Sequence, residues 1–538
     1  MRHPAPLFVL LLASLAGCRS ALQYRLEADD DAYALVQSRR AELFDEQGEF
    51  NIDPPEDSLR SQVIGGEVEV LEDLSIADCL QIAAENNREY QTRKEALFLA
   101  ALDVSLERWN VGFVPAAGAD AAVTGTGSVA DVQSAGAFFG VDKILATGGR
   151  LFADLGLAIV NDLSNGDGWQ ATSNVSMLFT QPLLRGRGKL ILFEPLTQAE
   201  RSLVYEVRTF ERFRRELAVD VIAQLLGLYL DQNVIDNEEL NYNNVVTVRE
   251  RNEALARAGR LSDIQVDQAR QNELSSEDRL IRARQRLQDS RDSFKLFLGL
   301  PMELDLTVGG EDLQRLAELE LPDATIPSEV AIQVGLEMRP DFMTTVDRVV
   351  DAERRSRIAA EALKLGLDIS ASLDVSSETG KPLKYNFDDV GWGLGLVLDI
   401  PVDPVPQRNA YRSTLITWQR AVRAAELQED SISAALRAEL RQVAARSESR
   451  EIQSNAVRLA ETRVESATLN LQAGRASTRD LLEAQEALVS SRNLETSALT
   501  DYALARLDLA LDMGILRVDE TGITIDKEPL LRALEVSE

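Results

Sequence analysis

Hydrophobic residues along this chain follow two periods, and the changes between them mark the elements. From Ile76 to about Arg108 the apolar positions 76, 80, 83, 97, 101 and 104 fall on one helical face. Ser75 stands before this run with Asp78 three residues on, which predicts a capped helix start. Over residues 116–181 the period becomes two. Leu151, Ala153, Leu155, Leu157 and Ile159 alternate with Phe152, Asp154, Gly156 and Ala158. Trp169, Ala171, Val175, Met177 and Phe179 alternate with Gln170, Thr172, Asn174, Ser176 and Leu178, the signature of half-buried strands. A helix of about 64 residues follows to Arg257. Within it Leu203, Phe210 and Leu217 are seven apart, and so are Val221, Leu228, Ile235 and Tyr242, a spacing that calls for a partner helix. Gly259 ends the helix, and Ser262 with Gln265 predicts a capping box for the next, which runs to Gly299.

The same order then returns. Residues 328–365 read as a helix with a local break at Arg339-Pro340. Ile369, Ala371, Leu373 and Val375 alternate with Asp368, Ser370, Ser372 and Asp374, and Trp392, Leu394, Leu396, Leu398 and Ile400 alternate mainly with glycines. A long helix spans about 409–472, Gly474 breaks it, and a last helix runs from Thr478 to Met513. The stretch Ala473-Gly474-Arg475 repeats Ala258-Gly259-Arg260 at a spacing of 215 residues, which holds without a gap through Ala283/Ala498, Arg291/Arg506 and Gly299/Gly514. Two copies of one helical hairpin organise the chain. At 1.5 Å per residue each long helix measures roughly 95 Å, and the two shorter helices of the first copy laid end to end come to roughly 105 Å, so short helices stacked into a rod would match the long one beside them.

The resulting division is 1–17, a signal peptide; 18–73, an acidic and irregular linker or a strap along the surface; 74–300, the first repeat, with strands at about 116–181 and a hairpin turn near 259; 301–326, a connector; 327–514, the second repeat, with strands at about 368–400 and a turn near 474; and 515–538, a tail. The strands number about four, or six if 118–130 and 151–160 are separate; the material at 131–168 exceeds a strand pair and reads as an extended outer loop. Closed membrane barrels start at about eight strands, and open edges do not occur in lipid. If these strands enter a membrane, several chains must share one barrel.

Composition narrows the function. The net charge is -31 over 538 residues, which argues against nucleic acid as a partner. It fits a solvated polar surface or an acidic lumen. The one histidine, His3, lies in the signal segment, so neither imidazole catalysis nor a His-ligated metal is expected in the mature protein, and no cofactor motif or Ser-based triad is visible. Of the two cysteines, Cys79 falls on an apolar helix face and reads as a buried structural thiol. Arg2 and the nine apolar residues 7–15 form a signal-type n-region and h-region, too short to span a bilayer as a helix.

Leu15-Ala16-Gly17-Cys18 resembles the bacterial lipobox, which implies cleavage before Cys18 and its acylation; an ordinary secretory signal is the alternative. Arg19 in place of the Asp that holds lipoproteins at the inner membrane points to the outer membrane.

The whole plan resembles the TolC-type outer-membrane efflux family. The resemblance is carried by Ala83 to Arg88 (AAENNR), Thr180-Gln181-Pro182-Leu183, Ile400-Pro401-Val402-Asp403, the two AGR turns and Asp480-Leu481-Leu482-Glu483-Ala484-Gln485, and covers about residues 74–514. It implies a mainly α fold with membrane β: a homotrimer with an α-helical tunnel across the periplasm and a shared twelve-stranded transmembrane β-barrel in the outer membrane. It implies no enzyme, but an exit duct served by a periplasmic adaptor (membrane fusion) protein and an inner-membrane pump of the RND or ABC type. The family's constriction acids fall on Asp480 and Glu483, at the tip formed by Gly474; the first copy has Gln265 and Gln268 there, beyond Gly259. Asp480 equally fits a helix cap with Ser477, and Glu483 a solvated helix face. A periplasmic coiled-coil scaffold lipoprotein is the competing reading, separated by whether the alternating strands face lipid.

Overall fold

The computed structural model describes residues 19–538 apart from 45–49, 54, 56, 127–128, 164–167, 309–320, 520–521 and 538. Cys18 and the signal segment lie outside the described residues. The described residues are mainly helical with one large sheet. They divide into two compact units, one made of residues 1–50, 96–207 and 345–425 and the other of 51–95, 208–344 and 426–538.

In chain order the described elements begin with helix α1 (Ala21–Phe44), the short helix α2 (Leu59–Ile64) and strand β1 (Val70–Leu74). Thus 18–73 is not the irregular linker expected: half of it is helical. Ala32 and Val36 are buried on α1, and Tyr33 stacks at 5.5 Å on Phe98, so an apolar stripe within acidic sequence is enough to order it. Helices α3 (Ile76–Asn86) and α4 (Arg88–Asn110) follow, then β2 (Phe113–Thr126), β3 (Val129–Ile144), β4 (Arg150–Asp162) and β5 (Trp169–Pro182). After the single turn α5 (Lys189–Leu192) come α6 (Glu194–Arg257), α7 (Asp263–Leu298) and β6 (Asp305–Val308). The second copy supplies α8 (Ser328–Met338), α9 (Pro340–Glu361), β7 (Gly366–Ser376), β8 (Gly391–Asp399), α10 (Val405–Gln472) and α11 (Thr478–Asp512). The chain closes with the hairpin β9 (Leu516–Asp519) and β10 (Gly522–Ile525) and helix α12 (Glu528–Ser537). Parallel pairing of β1 with β6 ties the N-terminal extension to the connector.

The strands of the first unit form one antiparallel sheet in the order β2-β3-β4-β5-β7-β8. Residues 131–168 are therefore not an outer loop. They contribute β3 and β4 through a tight turn at 145–149, closed by Leu145 N–H to Gly149 O at 2.8 Å. The register gives the sheet two distinct faces. Pro115, Val141, Ala153, Met177, Leu373 and Trp392 lie in one row across all six strands. The adjoining row on the opposite face reads Ala116, Gly140, Asp154, Ser176, Asp374 and Gly391. Apolar side chains on the first face stand in the open: Trp392 is 73% exposed and Leu394 72%.

The second unit holds a contiguous core built from both copies. Leu217, Val221, Leu228 and Ile235 of the heptad pattern are buried in it, beside Cys79, whose side chain is buried, and residues of α7, α8, α10 and α11. The Ser75–Asp78 capping box forms on α3. The break at Arg339-Pro340 is present, as expected. An equivalent break at Asn87, between α3 and α4, gave no proline signal in the sequence. Asn87 Nδ2 donates to the carbonyl of Phe297 at 2.7 Å, and Arg339 Nη1 to that of Asp512 at 3.3 Å. The two acceptors are 215 residues apart, so the breaks occupy the same place in the two copies.

Candidate functional site

The tips of the two long hairpins carry the candidate constriction residues. Both are built alike. Gly259 and Gly474 take the left-handed conformation, with φ of 69° and 71°. At the first, Gly259 N–H bonds Ala256 O and Arg260 N–H bonds Leu255 O; at the second, Gly474 N–H bonds Leu471 O and Arg475 N–H bonds Asn470 O. This pair of bonds satisfies the last carbonyls of α6 and α10 and needs a residue free to adopt positive φ. Both hairpin turns therefore lie where the repeat places them.

Beyond the turns the copies diverge. Ser477 and Asp480 make a complete capping box on α11. The Asp480 carboxylate accepts from Ser477 N–H and Oγ–H, each at 2.8 Å. These bonds, with the nearby Arg479 and Arg463 guanidinium groups, hold its pKa below the ordinary carboxylate value. Asp480 is thus a charged, exposed cap. Glu483, also exposed, accepts from Arg479 Nε at 2.7 Å one helical turn earlier. The expected box at Ser262 does not form: its side chain makes no cap bond, because the Gln265 N–H goes to the Ser262 backbone carbonyl at 3.0 Å. Gln265 is half-buried and Gln268 exposed.

A small apolar cluster secures the base of the tips. Val245 and Val248 of α6 pack with Leu481 and Leu482 of α11, and Ala467 and Leu471 of α10 close around them. Buried Thr478 Oγ1 lies 3.3 Å from the amide oxygen of buried Asn252, joining the two hairpins by a polar contact. Sequence reasoning missed Asn252, since a lone Asn in a polar helix carries no periodic signal. The Arg479–Glu483 pair, at i and i+4, was readable.

The polar face of the sheet is a second candidate surface. It carries Asp120, Asp142, Asp154, Asp368 and Asp374. Arg150 donates to Asp142, and Ser176 to Asp154. Beyond β5, Arg185 pairs with Asp399. No group of residues among those described is arranged to hold a metal ion, and no described helix is long and apolar enough to cross a membrane.

No protein-family model matches the chain, and no curated protein does. Solved structures do match. CusC, whose crystal structures concern folding and transmembrane channel formation, is 14% identical over 82% of this chain and 92% of its own, with a TM-score of 0.60. The CmeC outer membrane channel of Campylobacter jejuni is 13% identical over 93% and 95%, with a TM-score of 0.59. The MtrE outer membrane channel of Neisseria gonorrhoeae, solved in its open state, is 15% identical over 82% and 88%, with a TM-score of 0.57. These likenesses run over most of each chain, and this chain accordingly has the fold of the outer-membrane channels.

Proposed function

We propose that this protein is one subunit of a passive exit duct in the outer membrane of a Gram-negative-type cell. Three copies share a β-barrel in that membrane and extend α-helical hairpins into the periplasm. A periplasmic adaptor and an inner-membrane pump of the RND or ABC type deliver cargo, and the duct itself performs no chemistry. A lipid anchor at Cys18 assists retention.

One observation carries the reading. One face of the sheet is apolar across all six strands and mostly open, covered at Ser173 by Pro382 and Tyr385, while the other carries Asp, Ser and Gly with Phe138, Phe152 and Leu178 among them. A soluble scaffold would bury such a face, since contiguous exposed apolar patches of that extent mark membrane or partner surfaces. Lipid satisfies it directly. In the duct, Asp480 and Glu483 from three copies would surround one axis at the periplasmic entrance, a ring favouring cations.

The test is extraction and conductance. The full-length protein should leave membranes only with detergent, migrate as a trimer and form cation-selective pores in planar bilayers. A soluble monomer after Cys18→Ala would overturn the reading in favour of a periplasmic scaffold.

A further inference from the structure

The duct reading leaves the barrel unspecified, and the sheet constrains it. Repeat 2 places two strands, β7 and β8, between its helices, whereas repeat 1 places four. The additional pair is the β3–β4 hairpin, which turns back at 145–149 without entering a helix. It is fully paired on both sides: thirteen residue pairs join β3 to β4, β2 follows β3 along its length, and β4 continues into β5. It also obeys the two-faced pattern. Val141 and Phe139 of β3 stand in line with Ala153 and Leu155 of β4 on the apolar face, while Gly140 and Asp154 pair on the other. A hairpin folded away in water would have no reason to keep both faces in phase with four membrane strands.

We infer that all six strands of each copy belong to the barrel, so that the three copies of the duct proposed above close an eighteen-stranded wall. The occupant of each open edge is a second copy of this chain: β8 of one copy meets β2 of the next. Three features support that seam. The sheet is antiparallel throughout with six strands, so its two edge strands run in opposite directions and every seam is antiparallel. Neither edge carries a lysine or arginine; apart from Pro115 and Asp120 on β2 and Asp399 at the end of β8, β2 is largely Ala, Gly and Thr and β8 largely Gly and Leu, a light guard for a free edge. Small residues of β2 on the apolar face, Ala117, Ala119 and Ala121, leave room for Trp392, Leu394 and Leu396 of β8. Six strands cannot close alone, and bare edges do not persist in lipid.

The consequence is width. With strands about 4.8 Å apart and tilted by about 40°, eighteen strands make a wall about 35 Å across, against about 24 Å for twelve. Such a barrel leaves an aqueous lumen that side chains do not fill.

Electron cryo-microscopy of the detergent-extracted full chain counts the strands directly: a trimer with eighteen is expected. A trimer with twelve, its β3–β4 hairpin outside the wall, overturns this inference and leaves the duct standing; a particle that is not a trimer removes the duct reading itself. An independent measurement places an environment-sensitive fluorophore on Phe139→Cys, Leu155→Cys or Leu394→Cys in vesicles containing nitroxide lipid. Quenching of all three labels to a similar degree is expected. Quenching at 394 alone would put the hairpin in water and refute the proposal.

Discussion

Arg339 donates to both the carboxylate and the backbone carbonyl of Asp512, at 3.0 and 3.3 Å, and so fastens the break between α8 and α9 to the end of α11. Its other arm grips Asp341 at 2.9 Å. In the first copy the same position is filled by Asn87 and the carbonyl of Phe297. One copy thus uses a buried ionic cluster where its sibling uses a neutral amide. Arg339→Ala leaves Asp341 and Asp512 without their main cation, and is expected to destabilise by about 3–5 kcal/mol. Asn87→Ala should cost about 1–2 kcal/mol. Thermal unfolding of the two variants side by side measures the difference; equal losses would show that the ionic cluster adds nothing.

Glu439 shares this cluster. Burial, a hydrogen bond to Asp512 and the charges of Asp512 and Asp508 push its pKa up to about 9. Its folded-state pKa therefore lies above the ordinary 4.5, and the folded protein holds a proton that the unfolded chain releases. The stability this group supplies is complete below pH 4.5 and declines as pH rises toward 9. Asp341 and Asp512 act oppositely. Burial opposes their charge, but Arg339 and Arg212, together with Glu439 for Asp512, hold their pKa values down. Their contribution is present above the ordinary carboxylate range and is lost on acidification. Glu439→Gln should flatten the alkaline decline in unfolding temperature between pH 5 and 9 while leaving the acid limb intact. A decline of unchanged slope would assign it to other groups.

The four left-handed glycines of the repeat are not equivalent. A Cβ added at Gly474 meets nothing within 4 Å, so Gly474→Ala carries conformational strain alone, about 1–2 kcal/mol. At Gly299 the same Cβ would lie 2.1 Å from the carbonyl oxygen of Asn86, and at Gly514 2.9 Å from the Met338 backbone. Gly299→Ala must push two helices apart, and it should fail to assemble or unfold at a much lower temperature than Gly474→Ala. Detergent-resistant trimer yield reads this directly.

At the tip, charge and capping can be separated. Ser477→Ala removes the hydroxyl cap while leaving the Asp480 charge; Asp480→Asn with Glu483→Gln removes the charge. If the acids line the entrance, the double variant loses cation selectivity and block by multivalent cations in planar bilayers, and Ser477→Ala keeps both. Identical selectivity in all three proteins would leave Asp480 a helix cap and Glu483 a surface partner of Arg479.

The lipid-facing assignment is tested at Leu396, which is 67% exposed on the apolar face of β8. Leu396→Arg should cost up to about 2–4 kcal/mol if it lies near the bilayer midplane. The neighbouring Gly395→Ser, on the opposite face, brings a Cβ to 2.5 Å from the Ser370 hydroxyl, which can rotate away, and should still assemble. Trimer recovery from membranes distinguishes the two.

Much of this architecture was legible because it rests on periodicity. The heptads at 203–217 and 221–242 and the period-two runs at 151–159, 169–179 and 369–375 each state which face is buried or greasy, and a repeat at 215 residues fixes the turns. What escaped has no period. The β3 strand is rich in Ala and Gly, so its alternation is faint until the register with β4 aligns it. Helix α1 hides its stripe of Ala32 and Val36 among Asp and Glu. Asn87 breaks a helix with a side-chain bond to a residue 210 positions away, which no local window contains. At the tip, Asp480 was identifiable as a cap from Ser477 alone, whereas the missing cap at Ser262 depends on backbone geometry.

The extra hairpin also orders events in the history of the chain. The turns at 259 and 474, the glycines at 299 and 514, and the breaks at 87 and 339 all keep their correspondence, whereas β3 and β4 exist in one copy only. An ancestor with two strands per repeat, doubled first and enlarged afterwards in one half, accounts for this in two steps. Repeat 2 then preserves the older unit, and repeat 1 records where growth was tolerated: between two strands, where a hairpin joins without disturbing a single helix.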